Sequence, residues 1–336
     1  MGRSRIAVVG ATGVVGREVL SSLAERHHPM EEVRAFASEQ SAVESGEYGA
    51  ADIEIRPYTP AALSGCGVVV VATNDAVARD VLSAAKAVGA TAIDLSGSRR
   101  LDATVPLYCP GLNEATLASN ASGVVAIASP LSQAVCLALD PLRRSHGLST
   151  VAVSALVGAA RAGKEGVAAL EAQTVSLLNA REPEGAGPFP HRLAFNVSPQ
   201  SGPLDAHRSL DERTLMLESA RLFGGGVGPV RSTVFLVPAF HGATLSVVAE
   251  LRRPIDRPTV VAALKSAAGL KVLGEDDERA YPMPMLLTGD DTVHVGRIRV
   301  DGTTVELVLA VDLGLKLAVA AAVLAQSLAG TTHLDA

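Results

Sequence analysis

The feature that most constrains the fold is a glycine-spaced turn near the N-terminus, between an apolar run and a helical pattern. Residues 6–9 are uninterrupted by polar side chains, as in a parallel strand covered on both faces. Glycines at positions 10, 13 and 16 follow, and over residues 17–23 apolar side chains return at a helical spacing. A strand, a glycine turn and a helix in this order predict the start of a dinucleotide-binding domain.

The predicted nucleotide site contains this turn and polar residues that follow neighbouring strands. Gly10 permits the tight bend, Gly13 lets a pyrophosphate approach the backbone, and Gly16 lets the helix pack closely on the strand. Ligands of parallel α/β sheets bind beyond the carboxyl ends of the strands. The predicted cofactor-binding residues are Gly10, Ala11, Thr12, Gly13, Val14, Val15, Gly16, Ser38, Ser41, Thr73 and Ser96.

Hydrophobic periodicity predicts an α/β protein made of two domains and a final helix. Short apolar strands alternate with helices over residues 1–131, which predicts a Rossmann-type parallel sheet. Residues 132–312 have an α+β pattern that predicts an antiparallel or mixed sheet, including a hairpin with strands at 293–300 and 304–311. Residues 313–336 are expected to contain a helix that docks on the first domain.

Composition narrows the possible partners and the compartment. The net charge is −6 and basic residues form no block, which argues against nucleic acid as a partner. No apolar run is long enough to span a membrane, and the N-terminus has no signal region, so we expect a cytoplasmic protein. The three cysteines, Cys66, Cys109 and Cys136, have no metal-site spacing, so no metal is predicted.

Several short segments, in order along nearly the whole chain, resemble the aspartate-semialdehyde dehydrogenase family. They include the glycine turn, the Phe195-Asn196 pair and the Val295-Gly296-Arg297 segment. The resemblance implies a second domain that forms a dimer, and a relation to enzymes that reduce an acyl phosphate with NADPH. It further implies that Arg100 is the arginine on the phosphate side of the substrate and that Glu212 is an acidic site residue.

The chemistry of that family depends on residues that this chain replaces. The resemblance places Ser132 at the nucleophilic cysteine and Ala243 at the histidine that moves protons. It places Val157 at the positioning glutamine and Leu236 at a substrate arginine, a pattern similar to Usg-type paralogues, which carry serine instead of cysteine. A serine hydroxyl needs an adjacent base, and alanine cannot accept a proton.

Two residues could compensate for these losses. His241 lies two positions before Ala243 and is a candidate displaced base, with a surface-loop histidine as the alternative. Cys136 lies one helical turn after Ser132 and is predicted to be a buried core thiol.

The sequence therefore predicts an aspartate-semialdehyde dehydrogenase-like protein that is catalytically degenerate and keeps its dimer. The predicted cofactor is NADP or NAD, bound weakly or not at all, because Gln40 replaces the family arginine between Ser38 and Ser41. One alternative is a working NADP-dependent semialdehyde or acyl-phosphate oxidoreductase that uses Ser132 or acts on another substrate. Another is a structural partner that forms mixed dimers with an active paralogue.

Overall fold

A computed structural model of the chain describes residues 4–42, 45–225, 227–277, 279–287 and 289–330. The chain forms two compact units, one of Met1–Ala128 with Gly314–Ala336 and the other of Ser129–Leu313. Among the described residues before Ala128, the α-helices of the first unit are Val14–Glu25 (α1) and Asp75–Ala87 (α2). Its strands are Arg5–Val9 (β1), Val33–Ala37 (β2), Gly46–Tyr48 (β3), Ala51–Ile53 (β4), Ile55–Pro57 (β5), Cys66–Val71 (β6), Thr91–Asp94 (β7), Leu107–Tyr108 (β8) and Val124–Ile127 (β9).

The first unit is built on a seven-stranded sheet in the order β5-β2-β1-β6-β7-β9-β8. Every neighbouring pair in it is parallel, which confirms the Rossmann-type prediction. The sheet forms this way because its strands are apolar on both faces: residues 68–71 of β6, for example, are all valines and all buried. The chain leaves β1 toward β2 and later returns to the other side of β1 as β6. The sheet therefore has a topological switch point between β1 and β6.

Among its described residues, the second unit combines four α-helices with strands of both orientations. Its helices are Pro130–His146 (α3), Gly163–Leu178 (α4), Leu210–Leu222 (α5) and Arg257–Lys265 (α6). Its strands are Leu148–Val157 (β10), Leu204–Asp205 (β11), Arg208–Ser209 (β12), Val230–Leu236 (β13), Ala243–Leu251 (β14), Leu270–Val272 (β15), Val293–Asp301 (β16) and Thr304–Val311 (β17).

The main sheet of the second unit is mixed. Its order is β13-β10-β14-β17-β16-β15, with antiparallel pairs in the centre and the predicted β16–β17 hairpin. The two edge pairs, β10 with β13 and β15 with β16, are parallel. The sheet is therefore mixed and not purely antiparallel. The connection from β10 to β13 contains helices α4 and α5, whereas residues 273–292 connect β15 to β16 without an α-helix among the described residues.

The final helix, Leu313–Leu328 (α7), contributes to the core of the first unit. Leu317, Leu324 and the buried alanines of α7 belong to the same apolar cluster as Ile6 of β1 and Leu20 of α1. Its small residues allow close approach to neighbouring elements. In the part of the chain that the structure describes, no helix is both long enough and apolar enough to cross a bilayer.

Candidate functional site

The glycine turn after β1 is closed so tightly that side chains are excluded at two positions. Gly10 has φ +92°, and a Cβ there would lie 2.3 Å from the main-chain oxygen of Ala72, which follows β6. A Cβ on Gly16 would lie 2.1 Å from the oxygen of Gly10. Both distances are shorter than van der Waals contact, so packing requires glycine at both positions, and the positive φ of Gly10 requires it there as well.

Main-chain hydrogen bonds fix the turn to the neighbouring strand β2. The amides of Gly10 and Ala11 both donate to the carbonyl of Phe36, at 2.8 and 2.9 Å. Helix α1 then begins at Val14, and its N-cap residue, Gly13, supplies no side-chain cap. The first main-chain amides of α1 therefore have no side-chain cap, and they lie at the switch point of the sheet. This arrangement binds phosphate in this class of fold.

The other predicted cofactor residues lie at the carboxyl ends of adjacent strands. Ser38 and Ser41 form a turn directly after β2, in which the Ser38 hydroxyl donates to the Ser41 hydroxyl at 3.1 Å. Thr73 follows β6, and its Cγ2 lies 3.1 Å from the position of a Cβ on Gly10. The structure therefore brings the glycine turn and Thr73 together and places the serine turn at the end of the next strand.

Ser96 is held in a network around Asp94, which precedes it in the same loop and is not among the predicted cofactor-binding residues. The Asp94 carboxylate is fully buried, and its Oδ1 accepts hydrogen bonds from the Ser96 amide (2.9 Å) and hydroxyl (2.6 Å). Its Oδ2 accepts from the Arg99 amide at 3.0 Å. Asp94 shapes the loop after β7, and the Asp-x-Ser spacing was the available sequence signal for this turn.

Arg100 braces the same loop against the sheet. Its Nε donates to the carbonyl of Ile127 at 2.8 Å and its Nη2 to the carbonyl of Leu95 at 3.0 Å. The side chain is half-buried. The Arg100 guanidinium therefore holds the loop after β7 in place, and its contact with a substrate anion stays a prediction.

In the second unit, Ser132 lies in the first turn of α3, inside a capping network. The side chain of the N-cap residue, Ser129, accepts from the Ser132 amide at 3.4 Å and donates to the Ser132 hydroxyl at 2.9 Å. The Ser129 amide donates to the buried carboxylate of Glu218 at 2.8 Å. Ser132 has no exposed surface, so its hydroxyl is part of the helix start.

The three other positions at which the resemblance expects polar catalytic groups are neighbours in one row of the mixed sheet. Val157 of β10 is paired with Leu236 of parallel β13 and with Ala243 of antiparallel β14. Ala243 is in turn paired with Val311 of β17. All four side chains are buried, with exposed fractions between 0% and 4%. The row is a closed apolar surface.

The contacts of His241 and Glu212 are not those of residues that bind a substrate. His241 is exposed, and no hydrogen bond joins it to Ser132 among the residues that the structure describes. The carboxylate of Glu212 accepts from two main-chain amides, that of Ser209 at 2.7 Å and that of Val234 at 3.1 Å. Glu212 therefore ties the start of α5 to β13, and its role toward a substrate stays a prediction.

A partly buried ion pair in the second unit was not found from the sequence. Arg161 binds Asp211 through two bonds of 2.7 Å, and the Ser201 hydroxyl donates to the same carboxylate at 2.6 Å. Asp211 stands in the first turn of α5, where a carboxylate is favoured by the helix dipole. The signal was the adjacent acidic pair at 211 and 212, but its arginine partner is 50 residues away in the sequence.

The cysteines and possible metal ligands add no further centre. Cys66, Cys109 and Cys136 are buried and form no disulfide, as expected for core thiols. Burial raises the pKa of the Cys66 thiol, against the opposing effect of Arg34. Within the described ranges, no group of three or more His, Cys, Asp or Glu side chains could hold a metal ion.

A parallel sheet with an uncapped glycine turn at its switch point defines a dinucleotide-binding domain, and the mixed sheet forms a separate unit. Residues 5–120 match the family model "Semialdehyde dehydrogenase, NAD binding domain". Residues 139–313 match "Semialdehyde dehydrogenase, dimerisation domain". The chain belongs to the aspartate-semialdehyde dehydrogenase family.

Relatives of two descriptions are similar over most of the chain. A USG-1 protein homolog of Azotobacter vinelandii is 33% identical over 88% of this chain and 87% of its own. An aspartate-semialdehyde dehydrogenase of Synechocystis is 29% identical over 88% of each chain. Among solved structures, aspartate semialdehyde dehydrogenase II of Vibrio cholerae, complexed with ASA, has a TM-score of 0.90 at 26% identity, covering 99% of this chain and 100% of that one.

Proposed function

We propose that this chain is a catalytically degenerate member of its family, which keeps dinucleotide binding and dimerisation but has lost the thioester chemistry. The observation that carries the proposal is the apolar row of Leu236, Val157 and Ala243. The resemblance assigns three polar groups to these positions, and the structure pairs the three residues side by side. Their replacement therefore turns three adjoining positions of the sheet into one apolar surface.

The environment of Ser132 supports the same proposal. A hydroxyl has an ordinary pKa far above that of a thiol, so it needs a base within hydrogen-bonding distance to act as a nucleophile. The group that contacts the Ser132 hydroxyl is another hydroxyl, that of Ser129. Such a contact stabilises the start of α3 and provides no proton acceptor of suitable strength.

Retention of nucleotide binding is supported by the first unit. The glycines that exclude side chains are intact, the N-terminus of α1 is uncapped, and Thr73 lies against the turn. NADP or NAD would be held by the turn residues from Gly10 to Gly16, with Ser38 and Ser41 beside the adenosine ribose. The bound nicotinamide would supply hydride chemistry, for which this chain offers no acyl-holding thiol at the family position.

A homodimer is supported by the exposed face of the mixed sheet. Outward-facing residues on neighbouring strands are paired as Ala152 with Val248 and Ser154 with Ser246, and further along β10 lies Leu156. Leu156 is 42% exposed and Val248 39% exposed. Arg231 lies beside Ala152 and Glu306 beside Val248, whereas Ser154 and Ser246 have the uncharged neighbours Thr233 and Val308. A face with an uncharged centre and charges of both signs around it suits a self-complementary interface between two copies. The same face could pair with an active paralogue, which co-purification from the native source would detect.

A repair series tests the loss of chemistry. Ser132→Cys alone is expected to stay inactive with aspartate semialdehyde, phosphate and NADP, because lost acid–base assistance alone costs about 10²–10⁴-fold. The combined variant Ser132→Cys, Val157→Gln, Leu236→Arg and Ala243→His is compared with it, and circular dichroism checks that each variant is folded. Robust turnover by the single variant would show that the remaining residues still form a working site, and the proposal would be withdrawn.

A further inference from the structure

We propose that Glu39 makes the nucleotide site selective for NAD over NADP. The inference rests on the proposed retention of dinucleotide binding and goes beyond it, since it names the residue that reads the ribose. It assigns to Glu39 a hydrogen bond to the ribose 2′-hydroxyl and the rejection of a 2′-phosphate.

Glu39 lies just beyond the end of β2, beside the glycine turn. Strand β2 ends at Ala37, and the amides of Gly10 and Ala11 both bond to Phe36 near that end. The residues after β2 are therefore next to the phosphate-binding turn. In dinucleotide-binding folds an acidic residue about 20 positions beyond the glycines, at the end of the second strand, binds the 2′-hydroxyl of NAD.

The Glu39 side chain is exposed at the corner of a closed turn. The turn from Ser38 to Ala42 is closed by main-chain bonds from Ser41 and Ala42 to the Ser38 carbonyl, at 3.0 and 2.9 Å, with Glu39 and Gln40 at its corner. Glu39 is exposed, and within residues 4–42 and the other described ranges its carboxylate has no hydrogen bond or ion pair. A solvated carboxylate at this corner can accept a hydroxyl hydrogen bond.

Among the described residues, no cation forms an ion pair with Glu39. Gln40, the adjacent residue, is neutral. Arg56 is paired in register with Phe36 from the neighbouring strand β5, but its Nη2 and Nε bind Glu54 at 2.7 and 3.0 Å. Arg17 directs its Nε to the carbonyl of Thr12 at 3.0 Å. A 2′-phosphate of about −2 charge would therefore meet a carboxylate without a neutralising partner at its side.

The serine hydroxyls of the same turn favour NADP, but their effect on the preference is weaker than that of Glu39. Ser38 and Ser41 could each donate to a 2′-phosphate, as donors do in NADP sites. They are neutral and bonded to one another at 3.1 Å, so they offer less than a charge-assisted contact. The charge of Glu39 is expected to decide the preference.

The test is calorimetric titration of the full chain with NAD and with NADP at low and high salt. We expect the wild type to bind NAD about tenfold more tightly than NADP at low salt, and this ratio to fall as salt screens the repulsion. Glu39→Gln should remove the preference, and Glu39→Gln with Gln40→Arg should reverse it. Glu171→Gln, which changes the same charge on an exposed position of α4, is the matched control and should behave as wild type.

The outcomes separate the two proposals. Equal or tighter NADP binding by the wild type, or an unchanged ratio in Glu39→Gln, would overturn the role of Glu39 and leave dinucleotide binding standing. Failure of every folded variant to bind either nucleotide would overturn both.

Discussion

Val157 and Ala243 face each other directly across the antiparallel strands β10 and β14, and neither side chain has any exposed surface. Because paired residues of a sheet point to the same face, their side chains share one apolar surface with Leu236. Polar groups introduced there would have to be accommodated within a closed sheet row.

Ala243→His is expected to destabilise the second unit. The imidazole would be placed in a fully buried apolar position, where overpacking costs about 1–3 kcal/mol and an unpaired polar group adds to that cost. Urea denaturation measures the change, and Ala172→His on the exposed surface of α4 serves as control. Equal stability of the two variants would show that a polar cavity already exists beside Ala243.

Gly10→Ala should impair both folding and nucleotide binding. The Cβ would approach the Ala72 oxygen to 2.3 Å at a φ of +92°, so β6 and the turn must separate. Gly123→Ala is a control that distinguishes backbone strain from steric clash. Gly123 also has a positive φ, +70°, but nothing lies within 4 Å of its Cβ position. We expect the control to lose about 1 kcal/mol of unfolding free energy and Gly10→Ala clearly more. A matching loss in both would mean that backbone conformation alone restricts Gly10.

Ser154→Glu is expected to dissociate the proposed dimer. Ser154 is exposed and lies between two uncharged partners in the sheet, Ser246 of β14 and Thr233 of β13. Around a two-fold axis each copy would bring a carboxylate into the interface, and buried like charges repel strongly. Light scattering at micromolar concentration should show a monomer, whereas Ser83→Glu on the exposed surface of α2 should stay dimeric. A wild-type monomer would contradict the dimer itself.

Asp290 is expected to make stability depend on acid pH. Burial alone would raise the pKa of Asp290, but hydrogen bonds from the Thr292 hydroxyl (2.6 Å), from His294 (2.8 Å) and from Lys271 (3.2 Å) lower it well below the usual range. A depressed folded-state pKa stabilises the fold above the unfolded value of about 3.9 and loses this effect as pH falls.

The substitution Asp290→Asn tests this contribution. It should lower the free energy of unfolding at pH 7 by about 1–3 kcal/mol, and the difference from wild type should shrink toward pH 2. Chemical denaturation as a function of pH measures it, with the exposed Asp52→Asn as control. A pH-independent difference would assign the effect to lost packing.

The first unit was largely predictable because its determinants are local. The glycine turn needs particular backbone angles and close approach at Gly10 and Gly16, and both requirements appear in the sequence as glycine. The buried parallel strands appear as uninterrupted apolar runs. Strands β3, β4, β5 and β8 were missed because they have only two or three residues each and carry no clear periodicity.

The second unit was predicted less completely, because its sheet depends on non-local pairing. Hydrophobic periodicity does not indicate that β10 pairs with β13 in parallel. The row of Leu236, Val157 and Ala243 is created by the register of β10 with β13 and β14. Helix α6 went unpredicted although Asp256 caps the Thr259 amide at 2.8 Å and a proline stands in the first turn. The cap was readable, but the helix has only nine residues. The hydrogen bonds from main-chain amides to the Glu212 carboxylate likewise could not be predicted without knowing the fold.

Turnover by the wild-type chain is the most direct measurement of the central claim. Purified protein is assayed for phosphate-dependent reduction of NADP and of NAD with aspartate semialdehyde, beside a cysteine-containing family member as positive control. Because Ser132 has a hydroxyl partner and the row beside Val157 is apolar, we predict no turnover above the background without enzyme. Robust turnover by the wild type, abolished in Ser132→Ala, would contradict the degenerate-enzyme account.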